Sequence, residues 1–389
     1  MMAGATWYAY LKNAEANSIK SGEKILVKQD TSTTSALDEQ SVDEPVRYEL
    51  EIVAQNLEVP WSILFASDNR ILVAERAGRV REIVNGELQQ EPIHVFDEVS
   101  TRSEEGLMGM TLDPDYNTNK FVYACYAYER DGELLDKVVR MKDTGDALEF
   151  DKVILDRIPA ARYHAGCRIA FGPDNALYIT TGDATDKNIA QDLDSLGGKI
   201  LRINSDGSIP SDNPFENSPV YSFGHRNPQG IDWTSNGVLL STEHGPSTFD
   251  GPPGGDEVNK IEPGKNYGWP RVSHDRNEPG LIAPLVQFTP AVAPASAMVY
   301  TGNAFPAWKD MLFFGGLKGE GVFVVSFDQQ NQVTAYEKLD INLGRIREIT
   351  QGPDGYIYFS TSNRDGRGEI RSGDDKIYRM VPVARSVGL

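Results

Sequence analysis

The stretch YHAGCRIAFGPDNALYITTGD, residues 163–183, places His164 at the head of a short apolar run that also carries Arg168 and ends on Asp183. An imidazole in such a loop can take a proton at neutral pH, although a lone histidine is more often structural. The chain has five histidines, His94, His164, His225, His244 and His274, and none shows the spacing of a zinc site. His225 and His244 adjoin Arg226 and Glu243, groups able simply to hold them, so His164 is the better candidate for a base.

A second group of residues is cationic. Arg226, Lys318, Arg345 and Arg347 stand at the ends of apolar runs, with Asn227 beside the first. The chain as a whole is strongly acidic, 57 Asp and Glu against 38 Lys and Arg, a formal charge of −19. Four cations gathered in one place would therefore form a local receptor for an anion, since guanidinium forks fit carboxylates. Each alone would serve equally well in an ion pair at an exposed turn. The loop EHGPSTFDGPPGGDEVNKIEPGKNYGWP, residues 243–270, adds Asp256, Glu257 and Asn259 on a backbone stiffened by Gly and Pro. Hard oxygen donors of this kind suit calcium rather than zinc, although the EF-hand pattern is absent.

The acidic balance argues against nucleic acid or an anionic membrane as partner. No apolar run of about 18 residues is present to span a bilayer. The opening MMAGATWYAYLKNAEANS has an apolar patch without a basic n-region or a clear cleavage site. It fits a trimmed signal segment, a cloning scar or an ordinary soluble N-terminus, and compartment stays open. Cys125 and Cys167, the two cysteines, allow one bridge or two buried thiols.

The elements that must position these residues are short. Residues 1–47 read as a lead-in or linker, with a polar, aperiodic stretch over 17–47. From 48 onward, runs of four to eight β-branched or alternating residues are each closed by Asp, Asn, Gly or Pro. ASDNRILVAERAGRVREIV (66–84), LDPDYNTNKFVYACYAY (112–128), GPDNALYITTGD (172–183), TSNGVLLSTEHG (234–245) and GPDGYIYFSTSN (352–363) share turn, apolar strand and polar exit. KDMLFFGGLKGEGVFVVSF (309–327) is a divergent sixth copy. Repeats that cannot hide their faces alone must stack in a ring, which predicts an all-β, six-bladed β-propeller over 48–385. ELEIVAQ (49–55) is expected to complete the C-terminal blade. Equivalent blade positions would then bring His164, Arg168, Asp183 and the cations to one axial mouth.

With these residues in view, the chain resembles the soluble pyrroloquinoline quinone (PQQ)-dependent aldose sugar dehydrogenases of the glucose/sorbosone dehydrogenase family. The similarity runs over about 48–382, through NLEVPWSILF, EEGLMGMTLDPDY, YHAGCRI, YSFGHRNPQGIDW, the 243–270 loop, VAPASAMVYTG, FFGGLKG and GRIREITQGPDGYIYFSTSN. The resemblance implies that His164 is the general base removing the anomeric hydroxyl proton while hydride passes to PQQ. It implies that Arg226 and Asn227 hold the quinone oxygens, and that Lys318, Arg345 and Arg347 hold the cofactor carboxylates. The carbonyls of Gly245 and Pro246 match ligands of a calcium beside the quinone, and Glu257 and Tyr267 a second, structural calcium. An aldose substrate, a diffusible electron acceptor, a monomer or homodimer and a periplasmic, secreted or outer-surface location go with it.

Three places depart from the pattern. SEEGLMG puts Glu104 at a cofactor-facing position where the family has Gln, so repulsion of the quinone is expected unless a cation pairs with the carboxylate. Tyr163 replaces the Asp that neighbours the histidine in the glucose enzyme, and Thr289 and Ala291 replace an aromatic and a hydroxyl. Two other functions fit a propeller: a calcium-dependent lactonase or related hydrolase, needing three or four convergent acidic or Asn ligands, and a non-catalytic binding propeller with an apolar, blocked mouth.

Overall fold

The GPDNALY and GPDGYIY turns form the same hydrogen-bonded unit. Asp174 accepts from the Ala176 amide and the Tyr178 hydroxyl, as Asp354 does from the Tyr356 amide and the Tyr358 hydroxyl. Asn175 (φ 61°) and Gly355 (φ 77°) take the left-handed conformation that reverses the chain. Each turn ends one strand and starts its antiparallel partner.

In the computed structural model, which describes residues 24–27 and 46–383, six antiparallel sheets follow one another along the chain. Their innermost strands are Pro60–Ser67, Leu107–Leu112, Gly166–Phe171, Pro228–Trp233, Pro294–Val299 and Ile346–Gln351, and we number the blades one to six in that order. Each inner strand packs on the next, and Ile346–Gln351 packs back on Pro60–Ser67, so the ring closes. This is the expected six-bladed propeller. The repeats found in the sequence carry the second strand of each blade, among them Arg70–Glu75, Leu177–Thr181 and Ile357–Thr361. Regular helix among the described residues is confined to Tyr116–Asn119 and two 3-10 turns, and none is long enough to cross a membrane.

The C-terminal blade is completed from the other end of the chain. Tyr48–Ala54 pairs antiparallel with Ile377–Pro382, in the register Leu50 to Met380 and Ile52 to Tyr378. Lys24–Val27 adds an outer strand to it, and the rest of 1–45 and the expected domain end at 385 lie outside the described residues. The core is divided among the blade faces. Between blades two and three it contains Met108, Tyr123, Ile169, Leu177 and Leu201, with Trp61 of blade one packed into the same cluster, all nearly inaccessible.

Cys125 and Cys167, left open by the sequence, are bonded to each other across that same interface. The bridge closes a loop with a sequence separation of 42. The chain-entropy relation for a loop of this length gives about 4 kcal/mol. Reduction, or replacement of both cysteines by alanine, is expected to lower stability by about 2–4 kcal/mol; a denaturant titration with and without a thiol reductant measures it, and coincident midpoints would contradict it.

Candidate functional site

Three of the four residues His164, Ala165, Gly166 and Cys167 are left-handed, with φ of 57°, 72° and 68° at His164, Gly166 and Cys167. The loop is forced into this shape by its neighbour. A Cβ on Gly182 would lie 1.7 Å from the His164 carbonyl oxygen, so only glycine lets the two segments approach. The approach has a chemical consequence. The His164 Nδ1–H donates to Asp183 Oδ1 at 2.7 Å, and Asp183 is fixed in turn by the Thr185 amide and by the Trp269 indole N–H at 2.8 Å. His164 Nε2 has no partner among the described residues, which leaves it as an acceptor, and the Phe249 ring stacks on the imidazole at 5.6 Å.

His164 lies on the wall of a cavity of about 670 Å³ at the axial mouth. The same wall holds Glu104, Arg226, Gly245, Pro246, Lys318, Arg345 and Arg347, so most of the residues singled out by sequence come together. Arg226 Nε donates to Asp250 at 2.8 Å while its guanidinium faces the rings of Trp269 and Phe249. Arg345 is held by Asp365 and the Leu317 carbonyl, each at 2.8 Å. Arg347 lies over Trp61 and donates to Gln229 at 3.2 Å, but its buried Nε has no partner among the described residues. Burial pulls the Arg347 guanidinium down to about 9 against the attraction of Asp365, with Arg345 and Arg76 repelling it further. An anion here would supply the missing acceptor and relieve the repulsion, so the wall fits a polycarboxylate such as PQQ.

Some expected residues lie elsewhere. Asn227 is fully buried off the cavity wall, its Nδ2 unpartnered among the described residues. Arg168, placed at the mouth by its strand position, is turned inside the ring, where it pairs with Glu348 at 2.8 Å and lies over Trp61. The bulge between Gly166 and Ile169 interrupts the strand's alternation and turns position 168 to the axis rather than into the mouth. Asp256, a candidate calcium donor, has both oxygens occupied by the amides of Gly245, Val292 and Ala293. It is a loop clamp.

Gly245, Pro246, Glu257 and Tyr267 meet at a second cavity of about 20 Å³ that also touches Arg226. That is room for one ion or water. A Cβ on Gly245 would lie 2.2 and 2.3 Å from the carbonyl oxygens of Gly254 and Gly255, so oxygen atoms crowd this corner. Desolvation and the facing Glu243 push the Glu257 carboxyl up to about 8. A hard cation would relieve that repulsion, and the donors present fit calcium, although the described residues contain no group of three or more His, Cys, Asp or Glu able to hold a metal.

The departures resolve differently. Glu104 is paired with Arg367 at 2.6 Å, and Arg367 also lies over the Tyr163 ring. Burial pushes the Glu104 carboxyl up, but Arg367 and the two mouth histidines outweigh it and hold it below its usual value. The expected repulsion is thus already neutralised. Tyr163 and Ala291 line the cavity, whereas Thr289 accepts the Gly255 amide and supports the loop. Sequence reasoning put Asp183 at a blade end without a role, and gave none to Asp250, Asp365, Arg76 or Arg367. A polar exit after each repeat was the one available signal.

Comparison with known proteins agrees with this geometry. The family description Glucose / Sorbosone dehydrogenase matches residues 57–377. A Thermus thermophilus protein solved as a candidate oxidoreductase (glucose dehydrogenase) is 40% identical with TM-score 0.80, covering 86% of this chain and 100% of that one. The PQQ-bound form of the aldose sugar dehydrogenase of Streptomyces coelicolor is 32% identical with TM-score 0.77, covering 87% and 99%. The aldose sugar dehydrogenase of Escherichia coli K12 is 31% identical over 350 residues, 83% of this chain and 92% of that protein.

Because the Glu104 carboxyl is held down, its pairing with Arg367 contributes stability that is present above the unfolded-state pKa and lost only as pH falls through the lower folded value. The stability difference between parent and Glu104→Gln should therefore stay constant from about pH 7 to about pH 5 and shrink below about pH 4. Thermal midpoints of both proteins across that range check it. A difference already shrinking near pH 6 would show an unpaired carboxyl.

Proposed function

The chain belongs to the glucose/sorbosone dehydrogenase family, and on that premise we propose that it oxidises the anomeric C1–OH of an aldose to the lactone, with PQQ as hydride acceptor and a diffusible molecule taking the electrons onward. The observation that carries this reading is the Asp183-held His164 on the wall of a cavity whose cations are only partly paired. When bound, PQQ supplies the electrophilic carbon that takes the C1 hydride. The rest of the chemistry falls to the chain. His164 Nε2 takes the C1 hydroxyl proton, and Asp183 keeps the ring in the required tautomer and stabilises the imidazolium. Arg226, fixed by Asp250, presents positive charge without reorganisation where negative charge grows on the quinone oxygens. Arg345, Arg347 and Lys318 hold the carboxylates.

Calcium belongs to the same proposal. Gly245 and Pro246 line both cavities and their carbonyls would be the ligands beside the quinone, and Glu257 and Tyr267, which line the smaller one, would serve the second site. An ion there would act as a Lewis acid and clamp. The bonded cysteines support an oxidising compartment, in keeping with periplasmic or secreted use. A lactonase would need convergent acidic ligands, whereas the three acids among the described residues of this lining are engaged, Glu104 with Arg367, Asp365 with Arg345 and Asp256 with loop amides. A mere binding propeller would not need a histidine oriented by a buried carboxylate.

Adding PQQ and calcium to the purified apo-protein should change the quinone spectrum and give aldose-dependent dye reduction, which a chelator should diminish and calcium restore. His164→Ala is expected to lower kcat by about two to four powers of ten with PQQ affinity nearly unchanged. Asp183→Asn, which disturbs the tautomer, should lower kcat by at least about tenfold and leave the fold intact. Parent-like turnover in His164→Ala at saturating cofactor would remove the base from the mechanism.

A further inference from the structure

Resting on the reading above, we propose that Arg76 is a further cofactor-binding residue and takes one carboxylate of the quinone. Arg76 directly follows the second strand of blade one, Arg70–Glu75, at the polar exit of the first repeat. His244 and Lys318 follow the corresponding strands of blades four and five, Leu239–Glu243 and Leu312–Gly316. All three line the mouth cavity.

The path of the Arg76 side chain is constrained. Its backbone is tied on both sides, its amide donating to the Val59 carbonyl at 3.1 Å and its carbonyl accepting the Leu107 amide at 2.9 Å. A Cβ on Gly106 would lie 2.5 Å from Arg76 Cγ, so the stem runs across a gap that only glycine leaves open.

Charge points the same way. Six lysine and arginine side chains line the cavity: Arg76, Arg226, Lys318, Arg345, Arg347 and Arg367. Three of them are in ion pairs, Arg226 with Asp250, Arg345 with Asp365 and Arg367 with Glu104. Arg76, Lys318 and Arg347 have none among the described residues. Burial lowers the Arg76 pKa, and the attraction of Asp365, Glu105, Glu104 and Glu58 does not make up for it. Arg76 and Arg347 also repel each other, and the Arg347 Nε is unpartnered. Two like charges held together in a desolvated wall are stabilised by an anion shared between them. PQQ carries three carboxylates, enough for Arg76 to share one of them with a neighbouring cation while Arg345, Arg347 and Lys318 hold the others.

The test is calorimetric titration of PQQ into apo-protein in calcium buffer, with the absorbance of the bound quinone as a second readout. Arg76→Gln should bind about ten- to a hundredfold more weakly. Arg76→Lys should recover part of the loss, and the difference between Gln variant and parent should narrow in about 1 M salt. Circular dichroism establishes that each variant is folded, and Arg76→Met, which keeps the stem, serves if the Gln variant is not. A folded Gln or Met variant with parent-like PQQ affinity overturns the assignment. So does an effect confined to a raised KM for a uronic acid, which would place a substrate carboxylate at Arg76 instead. If the parent protein itself fails to bind PQQ, the functional reading falls and this inference with it.

Discussion

The mouth exists only because the ring closes, and closure rests on the pairing of Tyr48–Ala54 with Ile377–Pro382, beside which Asp375 ties down the segment that leads into the first blade. The Asp375 carboxylate, inaccessible to solvent, accepts the Val59 amide at 3.0 Å across a sequence separation of 316, and the Asn363 amide at 2.6 Å. Leu57 and Asp375 exchange two backbone hydrogen bonds alongside it. These contacts join the strand leaving the Tyr48–Ala54 closure to the last blade just before the first blade begins. Hydrogen bonds of this kind contribute only modestly each, but their loss would leave buried polar groups unpaired. Every cation of the mouth depends on that closure, since the cavity draws residues from blade one and blade six alike.

Within the closed ring, an acidic protein keeps a cationic cavity by placing carboxylates selectively. Asp250, Asp365 and Glu104 neutralise three cations, and Asp256 is withdrawn to hold a loop. The pairs fix guanidinium directions at the cavity wall, while Arg76, Lys318 and Arg347 have no ion pair among the described residues. Asp183 does for His164 what these acids do for the arginines: it orients one nitrogen so that the other is free. The same low-dielectric surroundings that make an unpaired arginine costly make it an effective anion receptor.

Much of this was legible in the residues. The recurrence of turn, apolar strand and polar exit specified strands, their number of blades and the C-terminal closure, because a period-two pattern and Asp-anchored turns are local properties. The residue types at the repeat ends marked His164, Arg226, Lys318, Arg345 and Arg347 as neighbours once the ring was assumed. Arg168 was misplaced because the direction of a side chain depends on the bulge between Gly166 and Ile169, which no local pattern announces.

The sequence by itself therefore determined the architecture and the chemical inventory of the mouth: histidines, several cations and hard oxygen donors. Only the tertiary structure decided how the inventory is divided. Glu104 and Arg367 are 263 residues apart, and Trp269 reaches Asp183 over 86. Whether a carboxylate repels a ligand, clamps a loop or neutralises an arginine depends on distances of a few ångströms between blades. The joined cysteines follow the same rule, since two thiols become a bridge only when two neighbouring blades bring them face to face.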